Sequence, residues 1–116
     1  MKFLTCSSLE KIFPEGEAPR KEKRGNMLRN ERYHFQAAIY WEKTFCDNAE
    51  LKISGTLSEA TILREVVPVP ARFTAFPDHD DGVLFEKDTA RLYPDVLCPF
   101  DPNNRLTLRQ GQWTAV

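Results

Sequence analysis

Ten residues, "RYHFQAAIYW" at positions 32–41, constrain this chain more than any others. Tyr33, Phe35, Ala37, Ile39 and Trp41 alternate with Arg32, His34, Gln36 and Ala38. That period of two suits a half-buried strand and not a helix. The odd-numbered set is the more apolar, so it is expected to face the core. Further short runs read the same way: Lys2 to Ser7, "ELKISG" through Leu51 and Ile53, "RLTLR" through Leu106 and Leu108, and "QWTAV" after a turn at Gln110-Gly111. "TILREVVPVPARF" is rich in β-branched residues but carries Pro68 and Pro70, as an edge strand or a strand leaving its sheet would.

No stretch longer than about two turns shows helical spacing. Ser8 to Phe13 could form one turn of helix closed by Pro14. The expected class is therefore all-β, a β-sandwich of short antiparallel strands with long Pro-rich loops. Its expected core holds Tyr33, Phe35, Ile39, Leu51, Ile53 and Leu106. The stretch from Phe76 to Asn104, with "FPDHDDG" and "YPDVLCPFDPNN", reads as loop rather than regular sheet, and long loops in compact domains usually serve function or an interface.

The 116 residues suit one domain, long enough to bury about two-thirds of its unfolded surface. Sixteen Lys and Arg against 17 Asp and Glu leave a net charge of −1, which gives no electrostatic argument for nucleic acid or an anionic membrane as partner. Three cysteines without C-x-x-C spacing indicate reduced thiols rather than a disulfide framework or a structural zinc site. The opening "MKFLTCSS" lacks the apolar run of a signal peptide or membrane anchor, so the expected location is cytoplasmic. "EGEAPRKEKR", residues 15–24, has seven charged residues in ten and reads as a solvated loop.

Candidate chemistry gathers at Asp78, His79, Asp80 and Asp81, four potential ligands in a row. Three readings stay open for them: a turn whose aspartates accept local N–H bonds beside Gly82, a loop facing another domain's site, or a bound cation. The spacing does not reproduce a calcium loop, and no cofactor or tightly held metal is expected. His34 suits a cross-strand hydrogen bond better than catalysis. Glu31 and Asp80 could act as paired glycosidase carboxylates only if the fold brought them together. No G-x-S-x-G, H-E-x-x-H or Gly-rich phosphate loop is present, so no catalytic residue is assigned.

The segments "SSLEKIFPEG", "LRNERYHFQAAI", "VPVPARFTAFPDHDDGVL", "RLYPDVLCPF" and "GQWTAV", in this order, resemble the N-terminal domain of bacterial glycoside hydrolase family 123-like proteins, from about Ser7 to Val116. The resemblance implies a non-catalytic β-sandwich that packs on a downstream TIM-like catalytic barrel of the same polypeptide. It also implies a parent enzyme acting on β-linked N-acetylgalactosamine by substrate-assisted retention, with its acid pair on that barrel. Residues 1–116 would then be the single N-terminal domain of a longer multidomain protein, since Trp113 to Val116 ends within a strand. Asp78, His79, Asp80 and Asp81 could lie on the rim of the cleft and touch glycan. The competing expectation is a free-standing carbohydrate-binding module using the rings of Trp41, Tyr93 or Trp113, and a weaker one is a metal-dependent hydrolase using His79.

Overall fold

The computed structural model describes residues 1–22, 24–71 and 91–116. Among them the class is all-β with antiparallel sheets, as the alternating runs imply. The strands are β1 (Lys2–Ser7), β2 (Phe35–Trp41), β3 (Cys46–Glu50), β4 (Arg64–Ala71), β5 (Arg91–Pro99), β6 (Arg105–Leu108) and β7 (Gln112–Ala115), with one short 3₁₀ turn at Ser58–Ala60. A five-stranded sheet has the order β1-β2-β7-β4-β5, and β3 pairs with β6 in a separate two-stranded sheet.

The two sheets are parts of one bent ribbon. β2 and β7 pair as far as Trp41 opposite Gln112, both chains then turn, and pairing resumes with Cys46 opposite Leu108. Two bonds hold the bend: the Trp41 indole N–H donates to the Thr44 carbonyl at 2.6 Å, and the Gly111 N–H to the Trp41 carbonyl at 2.8 Å. Gly111 has φ +70°, a left-handed conformation that a side chain would disfavour, which is why the Gln110-Gly111 pair marks the turn. Folding the ribbon over lays Leu106 and Leu108 of β6 on Ile39 of β2, with Trp41, Cys46, Ala49, Phe100 and Val116 packed around them.

The opposite face of the large sheet carries a second cluster of Cys6, Ile12, Ala38, Val66, Trp113 and Ala115. Among the described residues no strand covers it. Its lid is the chain after β1, which puts Ile12 into the cluster. Gln36 fixes that segment, since its buried side-chain amide donates to the carbonyls of Ser7 at 3.0 Å and Glu10 at 2.8 Å. Residues 8–13 form a turn, closed by the Glu10 N–H on the Ser7 carbonyl at 3.1 Å, and then an irregular passage rather than the expected helical turn, since the Glu10 carbonyl turns to the Gln36 amide.

Four other expectations are corrected. In β2 the even set Gln36 and Ala38 is buried, while Phe35 is 52% exposed and Tyr33 38% exposed; of the odd set only Ile39 is fully in the core. The "ELKISG" strand lies earlier, as Cys46–Glu50, because the ribbon bend sets where pairing with β6 resumes; Leu51 is half-buried and Ile53 exposed. "RLYPDVLCP" is no loop but β5, paired with β4 along its length around a bulge between Val67 and Pro68. Of the two readings of "TILREVVPVPARF", the edge strand is overturned, since β4 lies between β7 and β5 in the sheet order; β4 does part from β7, pairing with it only at Val66 opposite Ala115, but it stays in the sheet through β5.

Candidate functional site

Asp78, His79, Asp80 and Asp81 lie outside the described residues, as does Gly82. The ribbon of β4 and β5 brackets them, since Ala71 and Arg91 pair at the end from which the intervening residues depart. Glu31 is described: it is exposed, and its carboxylate caps a local turn by accepting the Leu28 N–H at 2.7 Å. His34 is exposed just before β2 and makes no hydrogen bond or ion pair with the described residues. Among the described residues no three His, Cys, Asp or Glu side chains gather as a metal site would require.

The rings named as possible glycan platforms belong to the core. Trp113 is 5% exposed and Tyr93 3% exposed, packed on Tyr40 and Phe13 respectively, and Trp41 is half-buried against the Ile39 cluster. Two rings that the alternation assigned to the core face solvent instead. Tyr33 and Phe35 stack with centroids 6.2 Å apart and planes 27° apart.

They border a shallow recess of about 200 Å³ together with Thr5, Glu22, Arg24 and Gly25. The local sequence builds it in three steps. Thr5 faces outward at the free edge of β1, where its hydroxyl donates to the Glu22 carbonyl and its carbonyl accepts the Glu22 N–H, both at 2.7 Å. The chain then passes under the Tyr33 ring at Gly25, where a Cβ would fall 2.2 Å from ring atoms. A turn at Leu28–Glu31, with Asn30 at φ 68°, brings it back to Tyr33 and Phe35. The result sets two stacked aromatic rings beside a glutamate and an arginine.

A second hollow of about 370 Å³ is lined by Ile53, Leu63, Phe100, Pro102, Ser58, Thr61, Asp101 and Asn104. Its polar groups mostly serve the fold. The Ser58 and Thr61 hydroxyls donate to the carbonyls of Gly55 and Leu57, and one Asp101 oxygen accepts the Asn103 N–H at 2.7 Å.

The buried thiol of Cys6 is held in its neutral form, because burial raises its pKa and the nearby carboxylates of Glu10 and Glu22 add to that. A thiol in that state is a poor nucleophile. Glu42 is shifted the other way: a hydrogen bond from the Met1 ammonium at 2.9 Å, and that group's charge, hold its carboxyl below the usual range. No helix among the described residues is long and apolar enough to cross a membrane. Comparison with known proteins found no matching family model, no matching curated protein and no matching solved structure.

Proposed function

We propose that this chain is a non-catalytic β domain that docks on a neighbouring domain through the part of its large sheet left bare by the β3–β6 layer. The observation that carries this is a pair of exposed aromatic residues on one sheet face. By the β1–β2 register, Phe3 lies beside Ile39 and Phe35 beside Ser7 on the face that β6 covers only around Ile39. Phe3 is 50% exposed and Phe35 52%. Large apolar side chains left uncovered on a rigid sheet mark interaction surfaces more often than single scattered ones do. The identity of the neighbour, a barrel of a glycoside hydrolase family 123-like enzyme acting on β-linked N-acetylgalactosamine, rests on the sequence resemblance alone. In that reading the Asp78–Asp81 stretch contributes to a cleft rim and catalysis belongs to the barrel.

Two measurements test it. The purified chain should leave an aryl β-N-acetylgalactosaminide intact, and hydrolysis would return catalysis to it. In the full polypeptide, replacing Phe3 and Phe35 by serine should expose the domain junction to protease, and an unchanged digestion pattern would remove this face as the docking surface.

The second reading, a carbohydrate-binding module, draws support from the exposed Tyr33–Phe35 stack, since an aromatic face suits the apolar face of a sugar. Binding to a glycan array that is lost in Tyr33→Ala but kept in Phe3→Ser would favour it over docking.

A further inference from the structure

Every proline in the ribbon of β4 and β5 points away from the ladder that joins those strands. Ala37 and Val116 exchange both backbone bonds, at 2.8 and 3.1 Å, so the alternation along β7 turns the backbone of Trp113 and Ala115 toward β4. Ala115 meets Val66 there. By the same alternation the even residues of β4 address β7 and its odd residues address β5. Pro68 lies opposite Pro94, and Arg64 opposite Pro99, at positions that exchange no bond within the ladder. β5 therefore loses nothing to these prolines, whereas β7 does. One step beyond Val66, the residue that would face Trp113 is Pro68, whose carbonyl could accept the Trp113 N–H but which has no N–H to return to the Trp113 carbonyl, so β4 offers one bond there where a strand pair makes two.

The Trp113 N–H is instead taken by the carbonyl of Pro14, at 2.8 Å. That carbonyl belongs to the segment covering the core face. The same segment reaches past β4 to β5, where the Phe13 ring meets Tyr93 edge-on at 5.5 Å and Lys11 pairs with Asp95.

We infer that Phe13–Pro14 is a strap seated where a strand residue would otherwise sit, that the Pro14 and Pro68 carbonyls compete for the Trp113 N–H, and that β4 loses the contest because Pro68 cannot add a return bond to the Trp113 carbonyl. The strap is thus an exchangeable closure on the buried Trp113 face rather than a fixed part of the sheet. This does not depend on the docking reading.

The test is Pro68→Thr, which restores the donor for the Trp113 carbonyl and so gives β4 two bonds to Trp113 against the strap's one. β4 should then extend its pairing along β7 and displace Pro14. Trypsin should cut after Arg20 and Arg24 about fivefold faster, the shift expected from one net hydrogen bond. Pro70→Thr is the control: the residue it would face is Gly111, whose backbone is turned into the bend and bonded to Trp41 on the β2 side, so its cleavage rate should stay that of the parent. The parent protein gives an independent measure by native-state hydrogen exchange. The Trp113 amide should open at lower cost than the Ala115 amide, which is bonded within the sheet. Parent-like cleavage of a folded Pro68→Thr variant overturns the inference. So does a Trp113 amide that exchanges only with global unfolding, a result that stands even if Pro68→Thr does not fold.

Discussion

The two faces of the five-stranded sheet are closed by different means. On one, the sheet's own ribbon bends back and lays Leu106 and Leu108 over Ile39, so strand covers strand. On the other, a single segment after β1 covers Cys6, Ala38, Trp113 and Ala115, contributing Ile12 and fixed by polar contacts. Beneath the strap the Trp113 ring is buried together with small side chains such as Ala38 and with the amide of Gln36. The ribbon layer stops short of the start of β2, so the large ring of Phe35 is left outside. Alternation along a strand sorts residues between faces, but the covering element decides which residues are buried.

Paired truncations at the two faces put that contrast at its sharpest. Trp113→Ala should cost about 3–5 kcal/mol, as large-to-small changes in a packed core do. Phe35→Ala, at a half-exposed position one strand away, should cost under about 1 kcal/mol. Chemical denaturation with matched slopes reads both. If Phe35→Ala proves the costlier, the odd face of β2 is the core and the placement of the strap is wrong.

How legible this was in the sequence differs from element to element. β1 is where the alternation puts it, and β6 and β7 follow because Gly111 supplies a turn whose conformation the sequence names. β5 was obscured by Pro94 and Pro99, residues that argue against a strand unless their missing N–H groups face away from the partner, a fact of register and not of composition. β3 was displaced because its position depends on the bend at Trp41 and Gly111, set by long-range pairing. The Tyr33–Phe35 recess was hidden for a related reason: the aromatic residues that look most like core were outside it, and only Gly25, eight residues before Tyr33, could have hinted at a close approach. Aspartates 78, 80 and 81 with His79 were prominent in the sequence and lie outside the described residues.

The polar anchoring of the strap gives the next effect in size. Gln36→Leu keeps the volume and removes both donors, taking from the Glu10 carbonyl the bond it accepts from Gln36 and leaving the Ser7 carbonyl with the Glu10 N–H alone. Stability should fall by about 1–3 kcal/mol, the cost of buried polar groups left unpaired. Amide exchange should rise across residues 7–14 before it rises in β6. A uniform rise over both faces would mean that the strap is not a separable unit.

On the other face, Gly25→Ala sharpens the comparison at smaller scale. The added Cβ would fall 2.2 Å from the Tyr33 ring, so the ring must move and its stack on Phe35 must loosen. Near-UV circular dichroism from tyrosine should change, while the denaturation midpoint shifts by less than the equivalent of about 1 kcal/mol, since both rings face solvent. A large loss of stability would show that this corner is part of the core after all.

The smallest expected effect is electrostatic and sits where β1 begins and β2 has ended. The Met1 ammonium donates to Glu42 at 2.9 Å, both groups being largely exposed, and this contact lowers the Glu42 pKa in the folded chain. A carboxyl whose folded pKa lies below its unfolded one binds its proton more readily once the chain unfolds. Its contribution to stability is therefore complete above the ordinary carboxylate range and fades as pH falls through the depressed folded value. The parent and Glu42→Gln should accordingly differ at neutral pH and converge in acid, with added salt shrinking the difference because exposed pairs are screened. Acetylating the Met1 amine should reproduce the Glu42→Gln curve, since either change removes the same pair. The strap and the recess lie elsewhere, so trypsin cleavage after Arg20 and Arg24 should stay at the parent rate in both. Faster cleavage in either would mean that the start of β1 also holds the strap, and the two faces would then be coupled through their shared edge strand.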